Sequence, residues 1–451
     1  MTSYRQEHEA FTSNTSTKCH ALHVLLCICH MPVFLAISNC CYHRWKMQPT
    51  LLKDFVMICV PMVLVLTVAA DYAAWTMALL ILVLYMLYKE INPTFINEPK
   101  TTGVIHPISQ LKGINMLITC IAILAVDFKV FPRYFAKTET YGFSLMDIGI
   151  AMFIISSGLT SKYARGITDC NRSSYSYIAK RGVILLLGIG RLITLKSIDY
   201  QEHNTEYGIH WNFFVTIFSI WILTDAINTL FSRLAIAILC VFVLGIYQFA
   251  LCSSPLSSYI LHSDRNTFLD ANREGVCSLP AGVVLYLLTE IFSYFLYYCK
   301  DRSVFTSKFQ ASGVVAAVMW CMWYTIDAYI QPTSRRLMNA PYVCLSLAIA
   351  FTVLTILFAI DSTLPAYEEQ HTSILQYFNK YQLQIFLLAN VCTGLVNVSI
   401  PTIRVSLWCG LYIVIVYMWM LALGALTAAH IEGISWKSRK NDKKNIELSE
   451  H

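Results

Sequence analysis

The stretch APYVCLSLAIAFTVLTILFAI, residues 340–360, runs without a single Asp, Glu, Lys or Arg. About 20 helical residues at 1.5 Å each cross a hydrocarbon core of roughly 30 Å, so this run is long enough to span a membrane. Comparable runs lie on both sides of it, near 20–42, 52–70, 72–90, 113–128, 142–160, 177–195, 211–230, 233–252, 280–299, 310–330, 382–400 and 404–428. Together they predict an all-α polytopic membrane protein of about thirteen transmembrane helices. Composition agrees: 56% of residues are apolar and 13% charged, against about 25% charged in a soluble domain. An ordinary soluble globular protein is excluded.

The chain divides into a polar N-terminal segment (1–19), one transmembrane helical domain (20–428) and a basic tail (429–451). The first span sits too far in, behind a polar segment, to read as a cleaved signal peptide. The sixteen cysteines are scattered through apolar segments, where cysteine packs as a small hydrophobe, and no paired CxxC units suggest zinc. Thirteen spans put the termini on opposite sides. The positive-inside rule then chooses a lumenal N-terminus and a cytosolic C-terminus, with 21 of the 33 Lys and Arg residues on the cytosolic side.

Since no soluble catalytic domain interrupts the spans, chemistry must occur at the membrane surface or within the bundle. Ionisable residues at membrane depth mark where. The segment AVDFKVFPRYFAKTETYG, residues 125–142, places Asp127 at a helix end. Beyond Pro132, Arg133, Lys137 and Tyr141 recur every fourth residue, which predicts a short interfacial or re-entrant amphipathic helix. That helix serves equally as a lipid-headgroup anchor.

The segment LGIGRLITLKSIDYQEHNTEYGIHWNFF, residues 187–214, crowds Asp199, Glu202, His203, Glu206 and His210 ahead of Trp211, Asn212 and Phe213, with Arg191 at the preceding span's end. The spacing of His203, Glu206 and His210 matches no zinc motif, so no metal site is expected. Hydrogen-bonded structural polar groups or a substrate site remain as readings. In DANREG, residues 270–275, Asn272, Arg273 and Glu274 offer forked donors and acceptors suited to sugar hydroxyls and phosphate, or an internal Arg–Glu pair. A fourth polar loop carries Ser334, Arg335 and Arg336, a candidate headgroup contact.

Taken in order, AILAVDF (122–128), FPRYFAKTETYG (131–142) with Met146 and Asp147, LGIGRL (187–192), KSIDYQEHNTEYGIHWNFF (196–214) and LDANREG (269–275) resemble the PIG-W family. Its members transfer a fatty acyl chain from acyl-CoA to the inositol of glucosaminyl-phosphatidylinositol in glycosylphosphatidylinositol (GPI) anchor biosynthesis. Asp270 departs from the family's pattern.

The resemblance implies an endoplasmic-reticulum acyltransferase that places a fatty acyl chain, palmitoyl by that resemblance, on the inositol 2-hydroxyl. It would use acyl-CoA as co-substrate, with no permanently bound cofactor and no nucleic-acid partner. It also implies that Asp127 and Lys137 carry the transfer. An inositol hydroxyl needs a base, and the attacked thioester carbonyl develops negative charge. Asp127 is assigned as general base and Lys137 as electrostatic stabiliser, with His203 or His210 as an alternative proton acceptor and Glu202 and Glu206 beside them. Arg133, Arg191, Asn212, Asn272, Arg273 and Glu274 are assigned to phosphate and sugar, and Tyr141, Trp211 and Phe213 to the site's aromatic lining. No serine or cysteine nucleophile elbow appears, so direct transfer is expected over an acyl-enzyme. Two alternatives stand: a lipid transporter or flippase, and a membrane-bound O-acyltransferase of the wider kind, for which His430 is the late histidine candidate.

Overall fold

The computed structural model describes residues 19–90, 105–167, 181–191, 207–298, 304–364 and 373–449, together with Glu7 and Phe11. All regular structure among them is helical. The first part comprises α1 (Ala21–Arg44), α2 (Leu51–Asp54), α3 (Val60–Leu66), α4 (Ala73–Tyr88), α5 (His106–Ala125), α6 (Ile148–Leu159) and α7 (181–191). Then come α8 (Phe213–Leu230), α9 (Arg233–Ser253), α10 (Leu256–His262), α11 (Phe268–Ala271) and α12 (Arg273–Tyr298). The last part is α13 (Val304–Tyr329), α14 (Ala340–Thr363), α15 (Ile374–Lys380), α16 (Gln382–Ser399) and α17 (Leu407–Ser449).

Among the described residues, ten segments are long and apolar enough to cross a membrane: α1, α4 with its preceding turn, α5, α8, α9, α12, most of α13, α14, α16 and Leu407–Gly433 of α17. The chain is a multi-pass membrane protein. Its centre is α14, where Leu345, Leu347, Ala348 and Ile349 are fully buried. Trp75, Phe242 and Val398 are 78%, 63% and 84% exposed on the outside, as lipid-facing side chains are.

Three of the thirteen expected spans are shorter or broken. The run 52–70 is interrupted by a π turn at Phe55–Cys59, next to Pro61, whose missing N–H opens the helical ladder. The run 142–160 is helical only over Ile148–Leu159, and 177–195 only over 181–191 among the described residues.

Even so, direction is fixed by pairs of contacts. His30 Nε2 bonds Thr76 Oγ1 at 2.9 Å and Arg44 pairs with Glu90, so α1 and α4 run parallel and α2–α3 carries the chain back between them. Gln382 Nε2 donates to the Lys112 carbonyl at 3.3 Å and Asn397 Nδ2 to Asp127 Oδ2 at 2.9 Å, so α5 and α16 also run parallel.

The amphipathic helix expected beyond Pro132 does not form. A single 3-10 turn, Arg133–Phe135, gives way to extended backbone at Ala136. Helical hydrogen bonds are replaced by tertiary ones: Thr138 N and Oγ1 donate to Asp147, Ser334 Oγ donates to the Thr140 carbonyl, and Gly142 N donates to the Thr333 carbonyl at 2.8 Å. Gly142 adopts φ +123°, which a side chain resists. The four-residue spacing of Arg133, Lys137 and Tyr141 therefore marks no common helical face.

Candidate functional site

The polar loops meet at one end of the bundle, where α5, α9, α13 and α16 finish and α6, α8, α12, α14 and α17 start. Asp127 leaves the end of α5 half-buried, with one carboxylate oxygen held by Asn397 Nδ2. An amide donor there fixes the carboxylate's orientation while a carboxylate oxygen keeps capacity to accept a proton. Arg133 donates from NH1 to the Val126 carbonyl at 3.1 Å and lies over the Phe11 ring. Burial lowers the Arg133 pKa and the Asp127 charge opposes that shift, which places the two side chains within electrostatic reach.

Lys137 follows, half-buried, immediately before Thr138. Thr138 is anchored by Asp147, which is fully buried and receives Arg335 Nε at 2.9 Å. The Arg335 guanidinium and the Thr138 donors compensate the burial of the Asp147 carboxylate. The Tyr342 hydroxyl donates to the Asp147 carbonyl at 2.7 Å, locking the start of α6 to α14. Lys137 thus sits on a loop pinned by a buried ion pair.

A second unit joins 207–211 to 271–275. Gly275 N donates to the Tyr207 carbonyl at 2.8 Å, Ile209 N to the Ala271 carbonyl at 2.9 Å, and His210 N to Asn272 Oδ1 at 2.8 Å. Two glycines permit the approach. A Cβ on Gly208 would lie 2.6 Å from Asn272 Cα, and one on Gly275 2.4 Å from Trp211 Cδ1. Glu274, buried at the start of α12, accepts from both Arg265 and Arg336, and Arg336 also donates to the Glu139 carbonyl on the Lys137 loop. Arg336 thus ties Glu274 to the Lys137 loop, whose chain leads back to Asp127.

With that arrangement in view, a family model described as GWT1 matches residues 4–428. The chain belongs to the GWT1 family. It is 29% identical to the glucosaminyl-phosphatidylinositol-acyltransferase PIGW of Bos taurus over 92% of its own length and 96% of that protein's. It is 33% identical to the phosphatidylinositol-glycan biosynthesis class W protein of Dictyostelium discoideum, covering 70% and 72% of the two chains. It is 34% identical to the GPI-anchored wall transfer protein 1 of Saccharomyces cerevisiae, covering 66% and 68%.

In this GWT1-family chain, Asp127, Arg133, Lys137, Tyr141, His210, Trp211, Asn272, Arg273 and Glu274 all lie in the polar layer. Glu202, His203 and Glu206 fall outside the described residues. Arg191 is exposed at the end of α7. Several residues assigned to substrate are engaged internally. Asn212 caps α8, accepting from Phe214 N and Val215 N while its Nδ2 donates to the Gly188 carbonyl. Arg273 is 3% exposed and donates to the Ile260, Asp264 and Asp270 carbonyls. Asn272 bridges His210 N and the Phe268 carbonyl. Phe213 packs between Phe153 and Phe386. His210 instead stacks its ring on the exposed Phe268, at 5.8 Å between centroids. Sequence reasoning passed over Asn397, one of several amides in its span, and did not pair Asp147 with Arg335, which is 7% exposed and bound to Asp147 where a headgroup contact was expected. The quoted Met146–Asp147 dipeptide was the signal for the latter.

Proposed function

We propose that this protein transfers a fatty acyl group from acyl-CoA to the inositol of glucosaminyl-phosphatidylinositol, in the endoplasmic-reticulum membrane, as a step of GPI-anchor biosynthesis. The carrying observation is family membership across residues 4–428, with a relative named for that acyltransferase matching over 92% of the chain. In this reading Asp127, oriented by Asn397, removes the proton from the inositol hydroxyl as its oxygen attacks the thioester carbonyl. Lys137 stabilises the negative charge on the carbonyl oxygen. The tetrahedral species then collapses, the C–S bond breaks, and the CoA thiolate leaves and takes up the proton. The ester forms directly on the lipid, which stays in the membrane throughout.

The thirteen-span, lumenal-N topology belongs to the same reading. It is supported by the parallel course of α1 with α4, which asks the 51–66 segment to carry the chain back between them, and by contacts at both ends of the shorter helices: α6 starts at Asp147 and closes where Thr160 meets Lys112, and α7 runs from Arg181, paired with Asp225, to Gly188 beside Asn212. The decisive test supplies purified full-length protein with acyl-CoA and glucosaminyl-phosphatidylinositol and weighs the lipid by mass spectrometry. A mass gain of one acyl group with stoichiometric free CoA is the expected result. Lipid that moves between leaflets without a mass change would instead establish the transporter reading.

A further inference from the structure

Between α8, α9 and α12 runs a crevice of about 350 Å³ lined only by apolar residues, among them Val276, Pro280, Val283, Leu287, Leu239 and Val243. Its length follows α12: the interval from Val276 to Leu287 amounts to about 17 Å of helix. Its upper end adjoins the polar layer, because Val276 directly follows Gly275, which touches the Trp211 ring and bonds the Tyr207 carbonyl. Pro280 has no N–H to give the Val276 carbonyl, so the backbone at this mouth keeps an acceptor that the helix does not satisfy. About one turn beyond the lower end lies Glu290, 5% exposed, in the neighbourhood of Ser161 and Asn228. The apolar track therefore starts at the polar layer and runs along α12 for about the depth of one leaflet's hydrocarbon, half of a core of roughly 30 Å.

We propose that this crevice holds one fatty acyl tail of the phospholipid acceptor while its headgroup lies across the polar layer. The inference rests on the acceptor being a membrane phosphatidylinositol derivative, as proposed above. Two observations favour the acceptor's tail over the donor's chain. The crevice is flanked by lipid-facing surface, with Leu223, Val241 and Phe242 exposed at 42%, 71% and 63%, so a molecule already in the bilayer enters sideways. Its mouth also lies under the 271–275 end of the layer, while Asp127 belongs to the α5–α16 edge. A tail seated here leads the headgroup from Glu274 toward Asp127 and leaves the thioester side clear.

The test uses full-length protein in nanodiscs and a phosphatidylinositol whose long acyl tail carries a diazirine. On irradiation the label is expected on peptides of α8, α9 and α12, and Val243→Trp or Leu239→Trp should abolish it, whereas Val241→Trp on the lipid-facing side should not. With glucosaminyl-phosphatidylinositol as substrate, the two filling variants should raise KM for a long-tailed acceptor about tenfold, leaving kcat, KM for acyl-CoA and use of a dibutanoyl acceptor unchanged. A rise confined to KM for acyl-CoA would assign the crevice to the donor chain and overturn the proposal. Labelling spread evenly over all lipid-facing helices would also overturn it, showing bilayer lipid only. Specific labelling without any acyl transfer by the unaltered protein would count against the acyltransferase reading and keep the tail site.

Discussion

Asp127 and Lys137 stand ten residues apart on one loop, each half-buried and each next to a fixed partner segment, Asn397 for the first and the Asp147-anchored Thr138 for the second. If Asp127 is the base, Asp127→Asn keeps the shape but removes the proton acceptor, and turnover should fall about 10²- to 10⁴-fold. Lys137→Ala should cost about 10²- to 10³-fold, by analogy with loss of an oxyanion donor, and the double variant should lose less than the product of the singles. A structural pair behaves otherwise: each single variant loses folded yield and the double recovers it. Well-folded Asp127→Asn protein with near-normal turnover would end the catalytic assignment. Arg273 calls for a different forecast, since its guanidinium is spent on three carbonyls. Arg273→Lys should lower stability by about 1–3 kcal/mol, read as a fall in Tm, with KM for the lipid unchanged. A raised KM at unchanged Tm would restore the phosphate role. Sequence showed which ionisable residues were out of place in a membrane. It did not show which were consumed internally, because Asn272, Arg273 and Glu274 find their partners in carbonyls and side chains that the chain brings together only on folding.

The elements teach the same lesson through backbone. Long apolar runs were legible because crossing a bilayer fixes both length and composition. Loop geometry was not: the spacing of Arg133, Lys137 and Tyr141 suggested a helix, yet tertiary acceptors and donors from Asp147, Ser334 and Thr333 outcompete the local ladder. The same competition built the joint between 207–211 and 271–275, where Gly275 admits the Trp211 ring at a distance that a Cβ would reduce to 2.4 Å. Gly275→Ala should therefore displace Trp211 and its bond to Thr216, at a cost of about 1–3 kcal/mol. Near-wild-type Tm together with unchanged Trp fluorescence would show that the joint yields without strain. Restoration of stability by Trp211→Phe in the Gly275→Ala background would locate the clash at the indole.

At the scale of the molecule, the two termini should face opposite compartments, and the contacts say which end of the bundle each belongs to. Glu7 pairs with Arg404 at 3.1 Å and Phe11 lies under Arg133, so both residues sit at the Asp127 end. Glu432 near the close of α17 pairs with Lys380 at 2.8 Å and accepts from the Tyr381 hydroxyl, beside the α15–α16 turn at the other end. Charge then orients the bundle. The tail past Trp436 carries Lys437, Arg439, Lys440, Lys443 and Lys444, and such clusters are held on the cytosolic side. On that orientation the Asp127 end should be lumenal, and with it the sequon Asn14-Thr15-Ser16, which lies outside the described residues. In sealed microsomes a C-terminal tag should be digested by added protease, while a glycan at Asn14, removed by endoglycosidase only after detergent, should be protected. The second sequon, Asn171-Arg172-Ser173, should remain unmodified, because the segment after α6 belongs to the Lys112 end, where Lys112 Nζ donates to Thr160 Oγ1. Protection of the tag, or a glycan at Asn171, would invert the orientation and move the Asp127 layer to the cytosolic face, where acyl-CoA would meet it without crossing the membrane.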